Sequence, residues 1–203
     1  HHVVTSNVEH PAVSEVCRHL QQSGYDWTEV AVDGSGRVAA ADVLAAVRDE
    51  TVLVSVMHAN NETGALQPIA EIAAGLRDRN VLFHCDAVQA LGKIPVNADD
   101  LGVDLMTMSS HKIHGPKGVG ALYIRKGVEL EALIHGGGHE EGLRSGTENT
   151  VGIAGFGRAM ERIPRALARM DEIAALRDRL ERGILDIVPR ARLNGHRTER
   201  LPN

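Results

Sequence analysis

Short apolar runs alternate with amphipathic stretches from residue 3 to residue 124, and this alternation constrains the fold more than any other feature of the sequence. The runs are rich in Val, Leu and Ile, whereas the stretches between them carry apolar residues at three- and four-residue spacing. The alternation predicts an α/β domain with a mostly parallel sheet and helices on both faces. Strands are predicted at residues 3–5, 28–32, 52–57, 81–83, 105–108 and 119–124, and helices at 11–23, 40–49 and 69–79.

The pattern becomes helical from Asn149 onward, and residues 166–183 are predicted to form one long helix that leaves the domain. We therefore expect a large domain over residues 1–162, incomplete at its N-terminus. Residues 163–203 would hold the connecting helix and the start of a truncated small C-terminal domain. The chain begins at a strand and stops just after the turn-like Asn194-Gly195, so we expect a fragment of a longer protein.

Composition narrows the class of protein. The net charge is −5 without a run of like charge, so nothing indicates nucleic acid or an anionic membrane as a partner. No apolar stretch is long enough to span a bilayer, and no secretory signal is visible. Two cysteines are too few for a disulfide framework and suit a reducing compartment, so a cytoplasmic location is expected.

Three polar segments follow predicted strands, at residues 58–64, 84–89 and 109–118. Open parallel sheets bind ligands beyond the carboxyl ends of their strands, so a ligand is expected among these segments. Asp86 ends a buried strand, where a carboxylate needs a cation or hydrogen bonds. Taken alone, it could equally be a helix cap or part of a structural ion pair.

The chain has only four lysines, and their surroundings differ. Lys93 and Lys126 lie beside turn glycines and look peripheral, while Lys117 lies in a tight turn. Lys112 follows Ser109 and His111, both of which can hold an anion. A lysine and a carboxylate on neighbouring strand ends suit pyridoxal phosphate, which needs an amine for its Schiff base and a carboxylate for its ring nitrogen. Its phosphate needs hydroxyls, backbone N–H groups and positive charge.

Five segments, in order, resemble the cysteine desulfurases, from the class V aminotransferase branch of the fold type I pyridoxal-phosphate enzymes. They are VEHPAV (8–13), MHANNETG (57–64), HCDAVQ (84–89), SSHKIHGPKG (109–118) and GGGHEEGLRSGT (136–147). The resemblance implies that the cofactor is pyridoxal 5'-phosphate and that Lys112 forms its Schiff base. His10 would stack on the ring and take part in proton transfer, and Asp86 would bond the ring nitrogen. Gln89 would bond the ring hydroxyl, and Asn61 the ring oxygen or the substrate carboxylate.

For the phosphate group, the resemblance implies Ser109 and His111 from the same subunit. Thr147 would reach the phosphate of a neighbouring subunit, with Arg144 bracing its loop, so a homodimer is implied. Each residue also has a plainer interpretation. His10 before a proline is typical of a helix N-terminus, asparagines are common in turns, Ser109 could cap a helix, and residues 136–138 could form a ligand-free loop.

The activity implied is conversion of L-cysteine to L-alanine, with sulfur carried on an enzyme persulfide to an iron–sulfur scaffold or a thiolation protein. The nucleophilic cysteine and the substrate-binding arginine are expected beyond residue 203. Cys17 and Cys85 are interpreted as core residues, so residues 1–203 alone are expected to be inactive. Two departures from the family pattern are His114, where tyrosine is common, and Glu141, where arginine is common.

Other functions stay open at this point. Selenocysteine lyase, cysteine sulfinate desulfinase and a true class V aminotransferase belong to the same branch, although the five segments favour a desulfurase over an aminotransferase. A more distant alternative is a metal-dependent enzyme, since the chain has eleven histidines. No pair of them has the short helical spacing of zinc enzymes, so no metal ligand is predicted.

Overall fold

The computed structural model describes residues 1–203, and its centre is a six-stranded sheet with the order β2-β1-β3-β4-β5-β6. Neighbouring strands from β2 to β5 are parallel, and β6 is antiparallel to β5. The strands are β1 (His2–Ser6), β2 (Asp26–Val30), β3 (Thr51–Met57), β4 (Leu82–Asp86), β5 (Leu105–Ser109) and β6 (Gly120–Ile124).

Seven α-helices connect and follow these strands. They are α1 (Pro11–Gln22), α2 (Ala40–Ala46), α3 (Ile69–Leu76), α4 (Ala98–Leu101), α5 (Thr150–Met160), α6 (Ile163–Leu167) and α7 (Met170–Ile187). Two short 3₁₀ helices lie at Ser110–Ile113 and Glu140–Gly142. None of the helices has the length and apolar character that crossing a bilayer requires.

The main core lies on one face of the sheet. Val43 of α2 and Ile69, Ile72 and Leu76 of α3 pack there against strand residues such as Val54. No residue of α1 belongs to this cluster. The connection from β1 to β2 runs in the opposite direction along the sheet to that from β2 to β3, and right-handed crossovers of opposite direction place their helices on opposite faces. The predicted α/β fold with a mostly parallel sheet and helices on both faces is thereby confirmed.

The reversal of strand order falls between β1 and β3. The connections that follow these two strands run in opposite directions along the sheet, which opens a crevice at the carboxyl ends of the strands. Ser6 and Met57 are the last residues of β1 and β3, and Asp86 and Ser109 end the next two parallel strands. The segments that follow these four residues therefore surround one edge of the sheet.

Several element boundaries differ from the sequence prediction, and α2 and α3 each end three residues earlier than predicted. β2 begins and ends two residues earlier than predicted, and β4 extends beyond the apolar run at residues 81–83 to end at Asp86, the residue expected to end this strand. β4 continues because the His84 ring lies 2.8 Å from Ser55 Oγ and 2.7 Å from Thr107 Oγ1, so its polar atoms are paired within the sheet. The long helix predicted over residues 166–183 instead starts at Met170 and follows the separate α6.

The end of the chain returns to the loop that follows β3. The backbone N–H of Leu66 donates to Glu199, and that of Leu201 donates to Gly64, each at 2.9 Å. Leu201 is only 3% exposed and packs with Ala59. Residues 199–201 thus contact the sheet domain, and the division of the chain at residue 162 stays a prediction.

Candidate functional site

A buried carboxyl group joins the two strands that flank the crevice. Glu9 Oε1 accepts a hydrogen bond from the backbone N–H of Met57 at 2.9 Å and another from the Ser6 hydroxyl. The side-chain amide of Asn60 also donates to the carbonyl of Val8 at 3.1 Å. These contacts fix the segment that precedes His10 against the end of β3.

Two polar atoms beside this junction are buried without a partner, namely Glu9 Oε2 and His58 Nδ1. Burial raises the pKa of the Glu9 carboxyl to about 7, although the hydrogen bonds from Ser6 and Met57 oppose the shift. Burial also lowers the pKa of His58 to about 4. Both side chains therefore favour their neutral forms in the folded protein.

Asp86 is held at the end of β4 by its neighbours. Its Oδ1 accepts from the backbone N–H of Val88 at 2.9 Å, and its carbonyl accepts from the N–H of His58 at 2.8 Å. The second carboxyl oxygen has no hydrogen-bond partner within the chain, and Asp86 forms no salt bridge. A half-buried carboxylate with one free oxygen can accept a hydrogen bond from a cationic ligand.

Ser109, His111 and Lys112 come together where β5 passes into the 3₁₀ helix Ser110–Ile113. Ser109 Oγ and His111 Nδ1 are 2.7 Å apart, and both side chains can reach a ligand from this position. Lys112 is exposed and forms neither a salt bridge nor a side-chain hydrogen bond. Asp86 pairs with Thr107 across β4 and β5, so the two strands deliver Asp86 and Ser109 to the same edge.

Lys93 is not peripheral, contrary to the sequence interpretation. Its ammonium donates to Gln89 Oε1 at 2.6 Å, and it lines a cavity of about 1020 Å³ together with Lys112. Burial, and then the charge of Lys112, lower the pKa of Lys93. Asp86 and Ser109 do not line this cavity.

His10 has a structural task as well as an open ring face. It caps the N-terminus of α1, and its Nδ1 accepts from the backbone N–H of Ala12 at 3.1 Å. The neutral ring consequently carries its proton on Nε2. Asn61 is exposed, while its neighbour Asn60 is buried and accepts from the backbone N–H groups of Glu62 and Thr63.

Thr147 lies apart from the other predicted site residues in this chain. It is exposed and follows a loop in which Ile134 and Arg144 form an isolated bridge. The loop is also braced by the N–H of Gly146, which donates to His139 Nδ1 at 3.3 Å. The structure therefore does not bring Thr147 into contact with the strand-end residues of its own chain.

Two histidines in strands bond to hydroxyls of the neighbouring strands, and both cysteines of the chain are buried. The two ring nitrogens of His2 lie within 2.9 Å of the hydroxyls of Thr28 and Thr51. The His84 ring bridges the hydroxyls of Ser55 and Thr107 in the same way. No group of three or more His, Cys, Asp or Glu side chains is arranged to hold a metal ion. Cys17 and Cys85 are both buried, and burial raises the pKa of each thiol.

Sequence patterns did not indicate three residues that the structure brings forward, Glu9, His58 and Lys93. Lys93 carried a usable signal, because Gln89 and Lys93 are four residues apart, a spacing at which side chains meet in a helical turn. Glu9 and His58 carried none, because both belong to polar segments that look solvent-exposed. Only the packing between strand ends buries them.

Known proteins resemble this chain over its whole length. A profile of the family described as aminotransferase class-V matches residues 1–202. The chain is 48% identical over 206 residues to the cysteine desulfurase IscS of Dictyoglomus turgidum, and 46% identical over 202 residues to cysteine desulfurase 2 of Trichormus variabilis. Each alignment covers 100% of this chain, but 52% and 51% of the two relatives. The chain thus spans about half the length of the curated relatives it matches.

Solved structures give the same result. A NifS-like protein superposes with a TM-score of 0.94 at 41% identity, covering 100% of this chain and 56% of the other. DndA from Streptomyces lividans superposes with a TM-score of 0.91 at 38% identity, covering 99% of this chain and 57% of the other. The chain belongs to the class V aminotransferase family. Two of the relatives named above are cysteine desulfurases, and one of the solved structures is a NifS-like protein.

Proposed function

We propose that this chain is the cofactor-binding half of a pyridoxal-phosphate-dependent cysteine desulfurase. The observation that carries the proposal is that Asp86, which has one free carboxylate oxygen, ends β4, and that Lys112, whose amine is unpaired, lies in the 3₁₀ helix directly after the neighbouring strand β5. The likeness to cysteine desulfurases over the whole chain supports L-cysteine as the substrate. Selenocysteine lyase and a class V aminotransferase are the competing activities.

The residues present fit pyridoxal phosphate by the chemistry of their donors. A protonated ring nitrogen matches the open oxygen of Asp86, and an anionic phosphate matches the Ser109 hydroxyl and His111 ring, which are already adjacent. The amine of Lys112 is free of competing ion pairs and can attach covalently. When bound, the cofactor supplies an electron-withdrawing ring for bond cleavage at the α-carbon of an amino acid.

Each side chain then has a distinct task. Asp86 holds the proton on the ring nitrogen, and Lys112 supplies the primary amine and moves the α-proton. His10 offers a ring face and, because Nδ1 is occupied by Ala12, donates or accepts protons at Nε2. Asn61 is exposed on the loop after β3, where it can contact the ring oxygen or the substrate carboxylate.

Three further components of the reaction would come from outside this set of residues: the nucleophilic cysteine, a second subunit and the sulfur acceptor. Both thiols of the chain are buried, so the cysteine that carries the persulfide would come from elsewhere in the whole protein. The exposed Thr147 is proposed to contact the phosphate in a second copy of the protein, which makes the active form a homodimer. An iron–sulfur scaffold or thiolation protein would accept the sulfur.

Borohydride reduction of the protein loaded with pyridoxal phosphate, followed by peptide mapping, tests the cofactor site directly. We expect one modified lysine, Lys112, out of the four in the chain. Lys112→Ala should abolish the modification, and Lys126→Ala, which changes an exposed lysine after β6, should leave it intact. Modification of a different lysine would overturn the assignment.

Product analysis separates the competing activities. The intact protein given L-cysteine should release alanine and leave a persulfide that an added thiol reduces to sulfide. An aminotransferase would instead form a keto acid in proportion to the amino acid consumed. A selenocysteine lyase would turn over selenocysteine and spare cysteine. Keto acid formation or inertness towards cysteine would refute the desulfurase assignment while leaving the cofactor site standing.

A further inference from the structure

The segment after β4 folds into tight consecutive turns that bring Lys93 back onto Gln89. The backbone N–H groups of Ala90 and Leu91 both donate to Ala87, and those of Lys93 and Ile94 donate to Ala90, at 3.0 to 3.1 Å. The Lys93 ammonium then reaches Gln89 Oε1 at 2.6 Å. The lysine is half-buried, so its hydrogen bond is partly shielded from water.

This contact determines which way the Gln89 amide faces. An ammonium group has three donors and no acceptor, so the amide oxygen must lie on the side of Lys93. The opposite orientation would set the amide N–H groups against the ammonium and is excluded by charge. Gln89 is consequently left with its NH₂ group for any other ligand. It presents a donor there, and not an acceptor.

Lys93 is also coupled to the proposed Schiff-base lysine. Both lysines line the same cavity, and the charge of Lys112 is one of the two causes that lower the pKa of Lys93. Every other titratable group that lines the cavity is a base, and no Asp or Glu does so. These groups are His114, Arg158, Arg162, Arg165 and Arg169.

We propose that Lys93 is a positioning residue of the cofactor site, which holds the Gln89 amide so that it donates to an anionic oxygen on the bound pyridine ring. The inference rests on the proposed function, because it needs pyridoxal phosphate at Lys112. Lys93 itself does not touch the cofactor. Its removal frees the amide to rotate, and it also removes a positive charge near Lys112. Both changes favour protonation of the bound cofactor.

Lys93→Met in the intact protein tests the inference, because methionine keeps the length of the side chain without its donor. We expect pyridoxal phosphate to bind about fivefold to tenfold more weakly, the effect of losing one hydrogen bond of ordinary strength. The pH midpoint of the visible absorbance of the bound cofactor should move to higher pH. Lys93→Arg should restore both quantities, and Lys126→Met should change neither.

A second variant keeps the test open if Lys93→Met does not fold. Gln89→Glu keeps the pairing with Lys93 but has no N–H to donate, so it should weaken cofactor binding and shift the midpoint in the same direction. Parent-like binding and an unshifted midpoint in a folded Lys93→Met or Gln89→Glu protein would overturn the inference, with the proposed function intact. Failure of the parent protein to bind the cofactor would overturn both.

Discussion

The carboxyl group of Glu9 accepts a hydrogen bond from the backbone N–H of Met57 across 2.9 Å, and this bond ties the segment after β1 to the last residue of β3. The two strands flank the reversal of strand order, so the bond spans the head of the crevice. His10 follows Glu9 directly and starts α1. The buried carboxyl therefore helps to set where the His10 ring can stand.

This buried carboxyl makes stability depend on pH. Glu9 has a folded-state pKa of about 7, above its ordinary value of 4.5. The unfolded chain therefore loses this proton first as pH rises, and the stability that neutral Glu9 contributes is present below pH 4.5 and lost through pH 7. The loss is at most about 3 kcal/mol. Glu9→Gln stays neutral and should escape it, so chemical denaturation at pH 8 should find it more stable than the parent.

The matched control for this prediction is Glu62→Gln, which alters an exposed carboxyl on the loop after β3. Its stability should follow that of the parent protein at every pH. The difference between Glu9→Gln and the parent should shrink as pH falls to 4.5, because both side chains are then neutral. A difference that is independent of pH would contradict the assignment of the effect to titration of Glu9.

Titration of His58 should change stability with pH in the direction opposite to that of Glu9. Its folded-state pKa is lowered to about 4 from 6.5, because burial disfavours the charged ring. Its contribution to stability is therefore present above pH 6.5 and lost as pH falls through 4, again by at most about 3 kcal/mol. His58→Met, which cannot titrate, should lose less stability on acidification over this window, as measured by urea denaturation.

An exposed histidine provides the comparison. The His19→Gln variant, which alters an exposed residue of α1, should lose as much stability as the parent protein when the pH is lowered. The absolute stability of His58→Met at neutral pH does not decide the matter, because the substitution also changes packing. The test is the slope of the free energy of unfolding against pH. A slope equal to that of the parent protein would contradict a buried neutral ring at residue 58.

The sequence predicted the sheet well where apolar runs were long, as in β3, and it predicted that Asp86 ends one strand and that Lys112 follows the next, as the structure has them. The sequence marked only residues 81–83 of β4 as an apolar run, because His84 is polar, although it is paired with two hydroxyls inside the sheet. It could not detect the break before Met170, because helical spacing continues on both sides. Burial of Glu9 arises from contacts between distant segments, which no local pattern encodes.

Gly115 lies so close to Ser110, in the 3₁₀ helix that carries Lys112, that no side chain fits at this position. A Cβ at this position would lie 2.1 Å from Ser110 Oγ and 3.2 Å from the Cβ of Ala159. Gly115→Ala should therefore destabilise the protein by roughly 1–3 kcal/mol and weaken cofactor binding, because the 3₁₀ helix that carries Lys112 must shift. Thermal unfolding and a cofactor titration measure the two effects.

Two further variants isolate the cause of that effect. Ser110→Ala removes a buried hydroxyl that has no partner, so alone it should cost little, and combined with Gly115→Ala it should restore part of the lost stability. Gly157→Ala in α5 adds a methyl group where no atom lies within 4 Å, and it should stabilise the helix by up to about 1 kcal/mol. An equal loss in the single and double variants would exclude the Ser110 contact as the cause.

The two thiols of the chain should be unreactive towards alkylating reagents in the native protein. Cys85 is fully buried in β4 and Cys17 is 5% exposed in α1, and burial raises the pKa of both, so little thiolate forms at neutral pH. Alkylation followed by peptide mapping should label neither residue until denaturant is added. Cys85→Ala and Cys17→Ser should each keep sulfur release from cysteine in the intact protein, since the persulfide would form on another cysteine. Loss of persulfide with retained cofactor binding in either variant would place the nucleophile in this chain.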